Sequence, residues 1–97
     1  MVQINWTTAA LEELAAIRDY SLQLSPNYAE QLIERIIERT DSLVKFIRLG
    51  RIVPEYADAA VRELLDGRYR IMYEIVNEER VDIIHVHPNA KPLPDRS

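Results

Sequence analysis

Arg62, Arg68, Arg70, His85, His87 and Lys91 are the side chains in this sequence best suited to act on a phosphate group. Cleavage of RNA by attack of its own 2′-hydroxyl needs a base, an acid and a cation around one phosphorus. An arginine can hold the charge that builds on the phosphoryl oxygens. A histidine, with an ordinary pKa of ~6.5, can move the proton. His85 and His87 stand two apart, so on a strand their imidazoles share a face, as metal ligands do. The chain has no cysteine, and no third ligand is placed beside them, so neither a metal nor a cofactor is expected. An arginine-rich strand face is also an ordinary solvated surface, where Arg–Glu cross-strand pairs are common.

The strand that carries Arg68 and Arg70 is GRYRIMYEIV, residues 67–76. Tyr69, Ile71, Tyr73 and Ile75 alternate with Arg68, Arg70, Met72 and Glu74, the pattern of one buried face and one free face. Pairing it with VDIIHVH (81–87) around a turn at Glu78–Glu79 sets Ile71 opposite Val86 and Tyr73 opposite Ile84 on the buried side. Met72 then faces His85, and Arg70 faces His87, on the free side. VRELL (61–65) joins from the other side across Asp66–Gly67, a hairpin signal. A two-residue turn there sets Glu63 opposite Arg70; a three-residue loop instead brings Arg62 and Leu64 to the free side. The free face therefore gathers Arg68, Arg70, Glu74, His85 and His87, with Arg62 or Glu63.

Two helices must cover the buried face. Val2, Ile4 and Trp6 alternate as a first strand, and Thr7 or Thr8 caps a helix carrying Leu11, Leu14, Ile17, Ser21 and Leu24. Ser25–Pro26 restarts the chain as an N-cap and first helical residue. Ala29, Leu32, Ile33, Ile36, Ile37, Thr40, Leu43, Val44 and Ile47 fall on one face of the second helix, which the pattern ends at Gly50. A loop, RIVPEYADAA, leads to the strands. The fold class expected is α+β: a two-layer sandwich, β-α-α-β-β-β, with a helical hairpin on a small, mainly antiparallel sheet. Residues 1–97 make one domain, and 88–97, with three prolines, an irregular tail.

The net charge is −4 and the pI about 5.1. Residues 1–44 hold three basic and seven acidic side chains, a balance of −4; residues 45–97 hold nine of each. A basic surface is therefore local and lies in the second half, which argues against a protein that grips nucleic acid mainly through phosphates. No apolar run reaches the ~20 residues that span a bilayer. MVQINW lacks the basic and apolar segments of a secretory signal. A cytoplasmic protein without membrane contact is expected.

In order along the chain, INWTTAALEELAAIRDY (4–20), SPNYAEQLIERI (25–36), GRIVPE (50–55), VREL (61–64), GRYRIMYEI (67–75) and VDIIHV (81–86) resemble the RelE/ParE superfamily of type II toxin–antitoxin toxins. The resemblance covers about residues 3–87 and implies a toxin held in check by a cognate antitoxin, of the kind described as plasmid stabilisation or addiction-module proteins. RelE-like members cut mRNA in the ribosomal A site; ParE-like members poison DNA gyrase and are not nucleases. The helix-pair motifs and GRIVPEY look ParE-like. Arg62 matches the arginine of the family's RE motif, Arg70 that of its YRI motif, and Lys91 its C-terminal basic residue. Pro88 stands where Arg or His is common, and no Tyr or His follows His87.

The resemblance and the charge together lead to a ParE-like gyrase inhibitor, not an enzyme. Two alternatives stay open. One is a RelE-like endonuclease acting on ribosome and mRNA, with Arg62, Arg70, His87 and Lys91 catalytic; the other is an inactive homologue that binds only its antitoxin. Residues expected to meet a target or antitoxin are Arg62, Glu63, Arg68, Arg70, His85, His87 and Lys91. The antitoxin is expected on apolar surface near Ala10, Leu22 and Ile47, as a homodimer or a toxin–antitoxin hetero-oligomer forms. Arg70, paired with Glu63 or Glu74 at a half-exposed site, is expected to contribute no more than ~1 kcal/mol.

Overall fold

The computed structural model describes residues 1–93. The chain runs β1 (Gln3–Trp6), α1 (Thr8–Leu24), α2 (Pro26–Asp41), a single 3₁₀ turn (Ser42–Val44), β2 (Arg51–Ile52), β3 (Val61–Asp66), β4 (Tyr69–Asn77) and β5 (Arg80–Pro88). The sheet has five strands in the order β1-β5-β4-β3-β2, antiparallel except where β1 runs parallel to β5. This is the expected α+β architecture, with a short edge strand, β2, added from the GRIVPEY loop.

Local chemistry sets the helix limits. The Thr7 hydroxyl accepts from the Ala10 amide at 3.2 Å and donates to the Ile83 carbonyl at 2.8 Å, so the cap of α1 is also a tie to β5. Ser25 caps α2 through the Tyr28 amide, with Pro26 in the first helical position. The apolar pattern runs past the true end of α2, which stops at Asp41 rather than Gly50. Leu43 is buried from the 3₁₀ turn, and Ile37, assigned to the core by periodicity, is exposed.

Gly50 has a different task. A Cβ there would lie 2.6 Å from the Glu63 carbonyl oxygen and 2.8 Å from the Tyr73 ring, so only glycine lets these backbones approach. Its amide donates to the Tyr73 hydroxyl at 2.9 Å, and that hydroxyl donates to the Ile47 carbonyl at 2.8 Å. One buried phenol thus pins the irregular segment between α2 and β2, and burial raises its pKa.

The β3–β4 turn is Gly67–Arg68, with Gly67 in the left-handed region at φ 55°. Glu63 therefore faces Met72, not Arg70, and Arg62 faces Tyr73 on the helix side. The β4–β5 register matches expectation at Ile71–Val86, Met72–His85 and Arg70–His87. It then shifts by one, so that Tyr73 faces Ile83 instead of Ile84. Ile84 is the extra residue of a bulge. It packs on the far side of the sheet, while Val81, Ile83 and Val86 join the main core with Leu14, Ile17, Leu32, Ile36, Leu64, Ile71 and Tyr73.

The face expected to be free is covered. Val53, Val61 and Met72 form a second buried cluster there, joined by Tyr56, Ile84 and Leu93. The loop after β2 folds across the sheet, and the chain after β5 turns at Asn89–Ala90 to bring Leu93 beside it. Of the tail read as irregular from 88, Pro88 belongs to β5, and 94–97 lie outside the described residues. No helix among the described residues is long and apolar enough to cross a membrane.

β1 pairs with β5 only as far as Ile83. Beyond it, the Val86 amide on the open edge donates to Glu13 Oε1 of α1 at 3.2 Å.

Replacing Tyr73 by Phe keeps the ring and removes the hydroxyl that joins Gly50 to Ile47. Unsatisfied backbone groups left at such a site cost about 1–3 kcal/mol, so urea denaturation of Tyr73→Phe should show a loss in that range with an unchanged m-value.

Candidate functional site

The strongest electrostatic feature lies under the loop. Glu63 on β3 has no exposed side-chain surface, and Arg70 on β4 is 8% exposed. Arg70 Nε donates to Glu63 Oε1 at 2.5 Å, and its two terminal nitrogens donate to Glu55 at 2.8 and 2.9 Å. Arg51 Nε on β2 donates to the other Glu63 oxygen at 2.6 Å. Two guanidiniums and two carboxylates therefore close a balanced network between β2, β3, β4 and the loop. The bonds from Arg70, reinforced by a backbone hydrogen bond, hold the Glu55 carboxyl at about 2, below the ordinary carboxylate range. The bonds from Glu55 and Glu63 hold the Arg70 guanidinium above its already high value.

Glu55 is the residue that sequence reasoning missed. Two arginines on a single buried Glu63 leave an excess positive charge, and that imbalance calls for a second acid from the loop between them. The loop also carries the one strained non-glycine among the described residues: Ala57, at φ 50°, three residues after Pro54.

The candidate phosphate-handling residues do not converge. Arg62 lies across the sheet from Arg70, its Nε donating to the Ala59 carbonyl at 3.1 Å and its Nη1 to the Gly50 carbonyl at 3.1 Å. His85 meets Glu13 at 3.1 Å, through Nδ1. His87 Nε2 stands 3.1 and 2.9 Å from the carbonyl oxygens of Lys91 and Pro92, so it is the protonated nitrogen and donates to them. Although Arg70 and His87 are opposite one another, each is held by its own partners. Arg68 sits in the β3–β4 turn beside Lys91, in a groove with Tyr20 and Tyr69. Among the described residues, no three His, Asp or Glu side chains gather to hold a metal ion.

Of the apolar residues expected at the margin, Ala10 is fully buried, Ile47 packs against the core, and Leu22 is exposed. Exposed apolar side chains instead collect on α1 and α2 (Leu11, Leu22, Leu24, Ile37) and at Phe46 and Leu49 before β2.

The burial of Glu63 raises the expected cost of losing Arg70. Arg70→Ala leaves Glu63 with a half-exposed Arg51 alone, and breaking a buried pair from one side costs about 3–5 kcal/mol. Chemical denaturation should report a loss at the lower end of that range, well above the ~1 kcal/mol of an exposed pair. A second test uses pH. Glu55 titrates lower in the folded chain than in the unfolded one, so its contribution is present above about 4.5 and fades as pH falls toward about 2. Glu55→Gln should flatten the acid limb of a stability–pH curve across that window and leave its shape above pH 6 unchanged.

Known proteins similar to this chain are toxins or parts of type II toxin–antitoxin systems. A family model described as the ParE toxin of type II toxin–antitoxin system, parDE, matches residues 4–91. The Caulobacter vibrioides protein named Toxin RelE2 is 34% identical over 91 residues, spanning 94% of this chain and 99% of that protein. Among solved structures, a chain from the chromosomal ParDE TA system of P. aeruginosa superposes with a TM-score of 0.74 at 24% identity, covering 91% of this chain and 96% of that one. At that identity the likeness speaks for the fold. The family match over nearly the whole length, and the close relative, make the chain a member of the ParE toxin family of type II toxin–antitoxin systems, with a cognate antitoxin as its implied partner.

Proposed function

We propose that this toxin inhibits DNA gyrase by binding it, and that it does no chemistry on RNA. The observation that supports this reading most is the engagement of Arg70. A cation that stabilises a phosphoryl transition state must have donors aimed at the reacting oxygens. Here the Nε and both terminal nitrogens of Arg70 are committed to Glu63 and Glu55. Arg62, the other motif arginine, is spent on two carbonyls across the sheet. An inhibitor needs only a surface, and Arg68, His85, His87 and Lys91 supply polar groups to one. Arg70 and Glu63 serve it indirectly, by fixing the loop.

The family match favours gyrase through the ParE branch, to which the helix-pair motifs and GRIVPEY also point. The name of the Caulobacter relative, RelE2, favours the second reading, a ribosome-dependent endonuclease. The two separate cleanly in vitro. Purified toxin should block supercoiling by gyrase, relief should follow addition of the antitoxin, and primer extension on a translated message should show no new codon-specific ends. New ends that disappear in Arg62→Ala, with supercoiling untouched, would establish the nuclease instead.

A further inference from the structure

Where β4 begins, on the helix side of the sheet and not on the face that carries the Glu63 network, the β3–β4 turn, the C-terminal end of α1 and the chain after β5 border a groove of about 510 Å³. Tyr20 and Tyr69 line it together with Arg68, Asn89 and Lys91, and it continues over Ala16 and Ile17 of α1. We propose that this groove binds a nucleotide, with the base against the tyrosine rings and the phosphate on Arg68 and Lys91.

Charge is the first argument. The sequence holds 16 acidic side chains against 12 lysines and arginines, yet among the described residues no carboxylate lines the groove. Arg68 is the one arginine among the described residues whose side chain makes neither a hydrogen bond nor an ion pair with another described residue. Arg18, Arg35, Arg48, Arg51, Arg70 and Arg80 all meet acids, and Arg39 and Arg62 meet carbonyls. The Lys91 ammonium likewise forms no ion pair with another described residue, and only its backbone is hydrogen-bonded among them. A guanidinium fork and an ammonium lining one groove suit a phosphate group.

The aromatic walls are the second argument. Tyr20 is 60% exposed on α1, while Tyr69 is half-buried at the start of β4. The two phenols, with Tyr28 of α2, lie near enough to act on one another electrostatically. An exposed Tyr20 ring and the open part of the Tyr69 ring, beside basic side chains, form a stacking platform that any base can use. A carboxylate-bearing peptide would use the cations and leave the rings idle. Asn89 makes the groove rigid: its amide donates to the Arg68 carbonyl at 2.7 Å, and its side chain donates to the Gly67 carbonyl at 3.0 Å. The turn that carries Arg68 and the segment that carries Lys91 are thereby tied together. The volume suits one nucleotide and lies within the range of small-ligand sites.

The proposal is independent of the gyrase reading. The same chemistry is offered by a free nucleoside phosphate and by one unit of a single strand. The test is titration of the full chain with AMP, adenosine, inorganic phosphate and a short oligoadenylate, following the Tyr20 and Tyr69 ring resonances by NMR. AMP should move both rings, adenosine should bind at least several-fold more weakly, and Tyr20→Ala or Arg68→Ala, both at accessible positions, should weaken AMP about 10-fold or more. Arg48→Ala, at a distant surface pair, should not. Oligoadenylate binding far more tightly than AMP assigns the groove to single strands; equal affinity assigns it to free nucleotides. The proposal is overturned if millimolar AMP and oligoadenylate leave both rings unmoved. It is equally overturned if inorganic phosphate alone reproduces the shifts, or if the Tyr20 and Arg68 variants bind as the parent does.

Discussion

The carboxylate of Glu63, buried with arginines on two sides, is the constraint on which the rest of the outer face depends. A buried ionic group is costly unless every oxygen is met, and here the partners come from β2 and β4 at once. β2 is only two residues long and exposed on both, so its own ladder and packing are too slight to place it. Arg51 reaching Glu63 holds it, together with the Gly50–Tyr73 bond before it and the Val53 amide on the Val61 carbonyl after it. Glu55 then completes the balance from the loop and brings Val53 and Tyr56 down over Met72. A small apolar cluster and a charge network thus hold the loop on the sheet together.

This arrangement bears on how the family's motif arginines should be read. Arg62 and Arg70 are eight residues apart in adjacent strands, and a list of motif matches puts them together. The sheet separates them, one on each face, and each has its donors committed to the protein. The arginines of the motifs here act on the fold first. The accessible basic groups are Arg68, in the turn just before β4, and Lys91, after β5, which line the groove against α1 instead.

Much of the fold was legible because its signals are local. Thr7, Ser25 and Pro26 mark helix starts by their own hydrogen bonding. The alternation through Tyr69–Ile75 fixes which face of β4 is inward, whatever the neighbours do. The β5 bulge was not legible: Ile84 and Ile83 are identical side chains, and only packing decides which of them enters the main core. The helix was read too long for a related reason, since Leu43 and Ile47 fall on the helical period although a 3₁₀ turn and an irregular segment carry them. The site was read less well than the fold. Loop residues such as Glu55 have no period, and the covering of the outer face shows only as Val53 and Tyr56, apolar residues in a stretch otherwise read as a connection.

The short reach of β1 along β5 leaves a strand edge open from Ile84 onward, the kind of edge along which sheets of separate molecules join. Two of its positions are blunted. The Val86 amide is taken by Glu13, and Pro88, two residues on and facing the same way, has no amide to give. A newcomer strand would find few donors there and a carboxylate in its path. Closing this edge with a glutamate and a proline keeps copies of the chain from polymerising through it, without a further strand to cover it.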